Sequence, residues 1–267
     1  MPDFGPPEEL YRDTAWYYAR FRPPYPREAI DMVVERFDLQ AASSAIDLGC
    51  GTGQVAIPLA RRGLDVWAVD PSSEMLEQGR RESMAAGATS VTWLQGDDAS
   101  FGAVLPSRRF DVCVMGSSFQ WMDRDLVLAS LDGLIGERGG VALLGNELSS
   151  WSEDADWARV CREVIVEFLG PERRAGAGTY TDPPERHESV LARSAFTTVE
   201  THKLATRHLL SVEDVVGLQL SLSYASPALL GDHVDAFCET LTARLHDHAT
   251  SGVFDWTLKT EVILAGR

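Results

Sequence analysis

Ile46-Asp47-Leu48-Gly49-Cys50-Gly51-Thr52-Gly53 is the stretch on which the fold of this chain turns. The apolar pair Ala45-Ile46 predicts a buried strand with an acid, Asp47, at its end, and three alternating glycines lead from it into a helical pattern over Gln54–Arg61. A glycine turn lets the backbone approach a ligand more closely than any side chain permits. The helix that follows presents free N–H groups to whatever lies there. Spacing then separates two kinds of ligand. A nicotinamide fingerprint is G-x-G-x-x-G; read from Gly49 or from Gly51, its third glycine falls on Gln54 or Ala56. Pyrophosphate binding is therefore disfavoured, and the acid at the turn suits a ligand carrying an amine or a positive charge.

Outward from this turn, strands and helices alternate. Strands are expected near 44–48, 65–69, 91–95, 110–115 and 140–145, with helices between most of them. That order argues for an α/β protein with a parallel sheet covered on both faces. Strand 65–69 ends in Asp70, twenty-one residues after Gly49, a spacing that suits a carboxylate on ribose hydroxyls. The plainer role for Asp70 is to cap a helix over 72–81, where Ser72 and Ser73 compete with it. Upstream, helices are expected over 8–22 and 26–37, the second introduced by Pro26 and carrying Ile30, Met32, Val33 and Phe37. Downstream come a helix over 154–169, a loop rich in glycine, proline and charge at 170–185, and longer strands over 197–210 and 253–265. The segment 211–250 between those strands reads as helical, opening on Ser211-Val-Glu-Asp.

Asp47-Leu-Gly-Cys-Gly-Thr-Gly53 resembles the signature of the class I S-adenosylmethionine-dependent methyltransferases, and further motifs of that family follow in order. The resemblance implies a doubly wound, seven-stranded, mainly parallel sheet with an antiparallel closing strand pair and helical cap insertions. It implies S-adenosyl-L-methionine as cofactor, with Asp47, Gly49, Gly51 and Gly53 at the turn and Asp70 on the ribose. Met75, in Asp70-Pro-Ser-Ser-Glu-Met75, would pack on the adenine, although it is equally an ordinary core residue. In Val91-Thr-Trp-Leu-Gln-Gly-Asp97-Asp98, Asp97 would take the adenine amino group, or Asp98 if the alignment slides one place. Ser117 belongs to the same expected set. Arg22 is expected either to bind a carboxylate of the cofactor or acceptor, or to form a surface salt bridge.

The run Gly116-Ser-Ser-Phe-Gln-Trp121-Met-Asp123 resembles one small-molecule branch, which includes the trans-aconitate methyltransferases. Tyr18-Ala-Arg-Phe-Arg22-Pro-Pro-Tyr25-Pro is similar to the N-terminal helix and loop of that branch. Together the matches span about residues 16–145. They imply in-line methyl transfer to a small molecule, on oxygen, nitrogen or carbon with a tilt toward oxygen, including carboxylate. Acceptor-pocket candidates are Tyr18, Ser118, Gln120, Trp121 and Tyr224, with Tyr17, Tyr25 and Ser223 beside them; Trp121 is equally a packing residue. Residues 1–40 are expected to form an N-terminal helical lid and 41–267 the methyltransferase domain, with cap insertions at about 150–185 and 211–250. The alternative is a non-catalytic or regulatory S-adenosylmethionine-binding protein. A nicotinamide dehydrogenase shares the sheet class but has the wrong glycine spacing.

Composition narrows the partners. The chain of 267 residues carries 40 acids against 24 bases, a net charge of −16 that repels a polyanion and argues against a nucleic-acid substrate. Basic pairs such as Arg61-Arg62 and Arg173-Arg174 are too small to reverse this. Pro23-Pro24-Tyr25 looks like the motif with which adenine methylases grip an extruded base, but it precedes the glycine turn and lacks a leading Asn or Asp. Cys50, Cys113, Cys161 and Cys238 form no C-x-x-C pair, as expected of free thiols in a reducing, cytoplasmic setting. Neither a signal peptide nor a membrane span is visible. His246 and His248 stand two apart on an expected helix and so do not share a face, and no metal site is expected. A monomer and a homodimer are equally compatible with the sequence.

Overall fold

Four short apolar runs form the parallel strands β1 (Ser44–Leu48), β2 (Asp65–Asp70), β3 (Val91–Gln95) and β4 (Phe110–Gly116), and a longer fifth, β5 (Ile135–Asn146), starts ahead of the expected 140–145, with an irregularity in its pairing to β4. The computed structural model describes residues 4–153 and 155–267. The first three residues of the expected lid and the first of the helix expected over 154–169 lie outside that range. β1 is buried along its whole length, as a strand covered on both faces must be. A short hairpin, β6 (Arg174–Ala175) with β7 (Gly178–Thr179), stands where only a loop was expected. The long strands β8 (Thr198–Ser211) and β9 (Val253–Gly266) complete the main sheet in the order β3-β2-β1-β4-β5-β9-β8, with β9 antiparallel to both its neighbours. The order reverses between β1 and β4, so a crevice opens at their carboxyl ends.

Helices α1 (Ala15–Phe21), α2 (Arg27–Arg36), α3 (Ala56–Ala60), α4 (Ser73–Ala85), α5 (Phe101–Val104), α6 (Arg124–Leu134), α7 (Asp156–Leu169), α8 (His187–Ala192), α9 (Val212–Leu220), α10 (Pro227–Leu230) and α11 (Val234–His248) surround the sheet. One core joins Val66, Val112 and Val114 of the sheet to Ile30 and Val33 of α2, Leu59 of α3 and Leu76 of α4. Across the sheet, Ile46, Cys113 and Val141 pack with Phe101 of α5, Leu128 and Leu131 of α6 and Leu191 of α8. A third core belongs to the insertions, where Trp157 and Val164 of α7, Leu218 of α9 and Leu241 of α11 meet Phe254, Trp256 and Leu258. β9 explains how the cap is attached. Its first half buries alternate residues and its second half buries nearly all of them, so one strand leaves the sheet as a ribbon that carries the cap.

Local chemistry sets several boundaries differently from the sequence reading. The expected helix 8–22 is a 3₁₀ turn (Pro7–Glu9) and then α1, separated by Asp13 with φ of 63°. α3 is shorter than Gln54–Arg61 because the turn runs on to Val55. Ser72, not Asp70, caps α4 by accepting the Met75 N–H at 3.3 Å. Ser211 and Asp214 form a reciprocal capping box at α9, the arrangement that the sequence Ser-Val-Glu-Asp favours.

Candidate active site

The glycine turn is sewn to the end of β2, where the N–H groups of Gly49 and Cys50 both donate to the Val69 carbonyl, at 2.8 and 3.1 Å. Gly49 and Gly51 have φ of +70° and +52°, a left-handed conformation that side chains resist. A Cβ on Gly49 would sit 2.4 Å from that of Ser118, and one on Gly51 would face the Tyr18 ring at 3.6 Å. Gly53 shares the positive φ, at +87°, and its missing side chain also makes room for the Trp93 ring, 2.6 Å from a built Cβ. The helix N-terminus differs from expectation. The Ala56 N–H is taken by Asp47 Oδ2 at 2.8 Å and is not offered to a ligand.

Asp47 therefore uses one oxygen as a brace. Its Oδ1 is buried and has no hydrogen-bond partner. Burial, with the charge of Asp70 adding to it, pushes the Asp47 carboxyl up to about 7. Asp70 accepts the N–H groups of Gly51 at 2.8 Å and Ser72 at 2.9 Å, and burial raises it to about 6. Two ionisable acids in so dry a place favour a cationic visitor.

Asp70 lines a narrow cleft together with Gly49, Gly51, Met75, Asp97, Asp98, Ser117, Ser118, Trp121 and Tyr18. Seven of the ten expected cofactor residues thus meet there, from the ends of four strands, while Arg22, Asp47 and Gly53 lie outside the cleft lining. Asp97 accepts the Ser100 N–H at 2.8 Å, and its hydrogen bonds to Ser100 hold its carboxyl below the usual range. Asp98 accepts the Asp123 N–H at 2.6 Å and ties the third-strand loop to the start of α6. Among the described residues Arg22 forms no surface salt bridge. It is buried, donates to the Ser221 hydroxyl at 3.2 Å and carbonyl at 2.7 Å, and lies 3.9 Å from the centre of the Tyr18 ring, behind the cleft wall. Tyr17 is on the far side of α1, stacked with Phe21.

Ser117 is the pivot of the site. It has φ of 52° without being glycine, which costs on the order of 1 kcal/mol or more. Its N–H donates to the Leu144 carbonyl at 2.8 Å, its hydroxyl meets the Tyr25 hydroxyl at 2.9 Å, and its carbonyl accepts from Gln120 at 2.8 Å. So fixed, it faces the cleft below and a second chamber above. That chamber, of about 450 Å³, is walled by Tyr11, Gln120, Trp121, Trp151, Arg173, Tyr180 and Tyr224, and its size falls within the roughly 300–1,000 Å³ of small-molecule sites. Tyr11, Ser117 and Trp121 belong to both spaces. Trp121 meets Phe4, Tyr11 and Tyr180 edge-on at ring-centre distances of 5.3, 6.3 and 5.4 Å. The cap hairpin and the N-terminal segment therefore roof the junction.

Sequence reasoning missed Tyr11, Trp151, Arg173 and Tyr180. Tyr11 offered one signal, its seven-residue spacing from Tyr18; the others lie in loops whose docking no local pattern encodes. His187 lines a neighbouring groove at the ends of β4 and β5, not the chamber, and burial lowers its pKa. Among the described residues no cluster of three or more His, Cys, Asp or Glu could hold a metal.

A glycine turn at a parallel-sheet switch point, with a strand-end acid on one side and a roofed chamber on the other, defines a nucleoside-cofactor enzyme of the class I methyltransferase type. Residues 45–135 match the family model for a methyltransferase domain. An uncharacterized methyltransferase of Mycobacterium tuberculosis is 31% identical over 216 residues, covering 79% of this chain and 76% of that one. A trans-aconitate 2-methyltransferase of Paracidovorax citrulli is 35% identical over 107 residues, 39% of this chain and 38% of its own. Among solved structures, a proposed type II methyltransferase from Anaeromyxobacter dehalogenans superposes with a TM-score of 0.61 at 23% identity, covering 92% of this chain and 98% of that one. An S-adenosylmethionine-dependent methyltransferase from Thiobacillus denitrificans, in complex with S-adenosyl-L-homocysteine, shares the fold at a TM-score of 0.51 and 14% identity, covering 96% and 97%. The chain belongs to the class I S-adenosylmethionine-dependent methyltransferases.

Proposed function

We propose that this enzyme methylates a small molecule held in the roofed chamber, with oxygen as the favoured acceptor atom. The observation that carries the reading is the shared wall, since Tyr11, Ser117 and Trp121 border both the cofactor cleft and the chamber. S-adenosylmethionine suits the cleft on two counts, the bare face of Gly51 opposite the Tyr18 ring and the strand-end carboxylate of Asp70. The cleft holds about 90 Å³ and Asp47, with its unpartnered oxygen, is outside its lining, so the cofactor enters as the walls of Tyr11, Tyr18 and Trp121 part. Asp70 would hold the ribose, Met75 the adenine face, Asp97 the adenine amino group, and Asp47 the cationic amino-acid end. When bound, the cofactor supplies an electrophilic methyl group on a positively charged sulfur.

The remaining work belongs to the chain. The rings of Tyr11, Trp121 and Tyr180 narrow the junction, and the braced Ser117 backbone fixes the distance between the two spaces. Positioning of this kind supplies much of the rate of an in-line transfer. The chamber's ionisable groups are Glu147, Asp182, Arg173 and three tyrosines, and burial raises the Tyr180 and Tyr224 hydroxyls. A carboxylate acceptor is already nucleophilic at neutral pH and needs no base. The partial likeness to a trans-aconitate 2-methyltransferase points the same way.

Calorimetric titration with S-adenosylmethionine and S-adenosylhomocysteine, with NAD as control, is the direct test, followed by a screen of small acceptors for S-adenosylhomocysteine release. Micromolar binding of both sulfur ligands without NAD supports the reading; absence of either sulfur ligand refutes it. In the same assay Asp70→Ala is expected to lose about 1.5–3 kcal/mol, the value of a charge-assisted hydrogen bond, or roughly tenfold to a hundredfold in affinity. Unchanged affinity in a folded Asp70→Ala protein would remove Asp70 from the ribose.

A further inference from the structure

Arg173 is the one cation on the chamber wall among the described residues, and methyl transfer itself gives it no task. Its carbonyl accepts the Tyr180 N–H at 2.7 Å and closes the base of the β6–β7 hairpin, so residues 173 and 180 stand side by side. The guanidinium carbon lies 4.0 Å from the centre of the Tyr180 ring and 5.4 Å from that of Tyr224. Tyr224 is itself pinned, its hydroxyl accepting the Ser150 N–H at 3.1 Å. Arg173 Nε is buried and has no hydrogen-bond partner among the described residues.

Among the described residues neither of the chamber's two acids forms an ion pair with Arg173. Asp182 interacts with the Tyr180 hydroxyl, and Glu147 pairs with Lys259 at 3.7 Å. In a chain with 40 acids and 24 bases, a cation cushioned on aromatic rings and clear of the chamber's own carboxylates is arranged for an anion that comes and goes. A guanidinium presents paired N–H donors that match a carboxylate. With Arg173 as the wall's one cation and Glu147 and Asp182 beside it, the chamber balances one negative charge better than a phosphate dianion.

We propose that the acceptor is a planar carboxylic acid, that Arg173 holds its carboxylate at the cap end of the chamber, and that its body lies along Trp121, Tyr180 and Tyr224. The group to be methylated then reaches toward Ser117. This inference rests on the methyltransferase reading of the chamber and names its substrate class.

The test uses the full chain saturated with S-adenosylhomocysteine and titrated with benzoate, 3-phenylpropanoate and 3-(4-hydroxyphenyl)propanoate, each beside its primary amide. At least one acid should bind, with its amide about tenfold weaker or more. Arg173→Gln should lose about tenfold or more in affinity for that acid, and Arg173→Lys should keep part of it, while both retain the native melting temperature and S-adenosylhomocysteine affinity. Equal binding of acid and amide, native-like acid binding by Arg173→Gln, or no binding by any of the three acids would overturn the proposal. So would a parallel loss of melting temperature in Arg173→Gln, which would make the residue a brace for the hairpin. Failure of S-adenosylhomocysteine to bind the native protein would instead strike the methyltransferase reading.

Discussion

Gly49→Ala is expected to lose on the order of a hundredfold in affinity for S-adenosylhomocysteine, with the sheet still folded. Two costs add. The residue has φ of +70°, which disfavours any side chain by roughly 1–2 kcal/mol. The new methyl would also stand 2.4 Å from Ser118 Cβ and 2.8 Å from its hydroxyl oxygen, and overpacking of this kind costs roughly 1–3 kcal/mol. Ser118 cannot simply swing aside, because its hydroxyl donates to the Leu48 carbonyl at 2.7 Å and locks the end of β4 to the end of β1. The turn must open instead, carrying away the Gly51 N–H that orients Asp70.

The double variant Gly49→Ala/Ser118→Gly separates the two costs. It should recover about tenfold at most, because it relieves the Ser118 clash but leaves the backbone strain and the Met122 methyl at 3.1 Å, and it gives up the Ser118–Leu48 hydrogen bond. Gly133→Ala on α6, with nothing within 4 Å of the added methyl, is the control and should bind as the native protein does. Native-like affinity in Gly49→Ala would mean that the turn does not shape the cleft.

How far the site can be read from sequence depends on how local its signals are. The strand ends were legible because each is a short apolar run closed by an acid or a glycine. The resemblance that those strand-end motifs carry implies the doubly wound order, and with it the meeting of Gly49, Asp70, Asp97 and Ser117. The strain at Ser117 was invisible, since a serine with positive φ has no pattern of its own and is imposed by Tyr25 and Leu144 from distant elements. Arg173 was dismissed as half of a small basic pair, and its meaning lies in Tyr180 and Tyr224, which only the hairpin and the cap bring to it. Gly53 belongs to the motif by spacing and by its φ of +87°, and the sequence did not show that it also makes room for Trp93.

The acids beneath the turn predict that cofactor affinity and stability respond to pH with opposite signs. Asp47 is raised to about 7 and Asp70 to about 6, both well above the roughly 3.9 of an aspartate in an unfolded chain. A carboxyl whose pKa rises on folding makes a stabilising contribution that is full below the unfolded value and is lost as pH rises through the folded value. Without cofactor, the melting temperature should therefore fall as pH is raised from 5.5 to 8. Binding runs the other way. If both acids must be ionised to receive the cationic cofactor, affinity should drop on the order of a hundredfold between pH 8 and 5.5, most of it through Asp47. Asp47→Asn isolates the cause, because its side-chain oxygen can still accept the Ala56 N–H while the titrating charge is gone. That variant should bind weakly at every pH and show the flatter melting profile. Calorimetry and thermal melts across this range decide the matter: affinity that is level from pH 5.5 to 8 in the native protein would show that neither buried acid meets the ligand's charge.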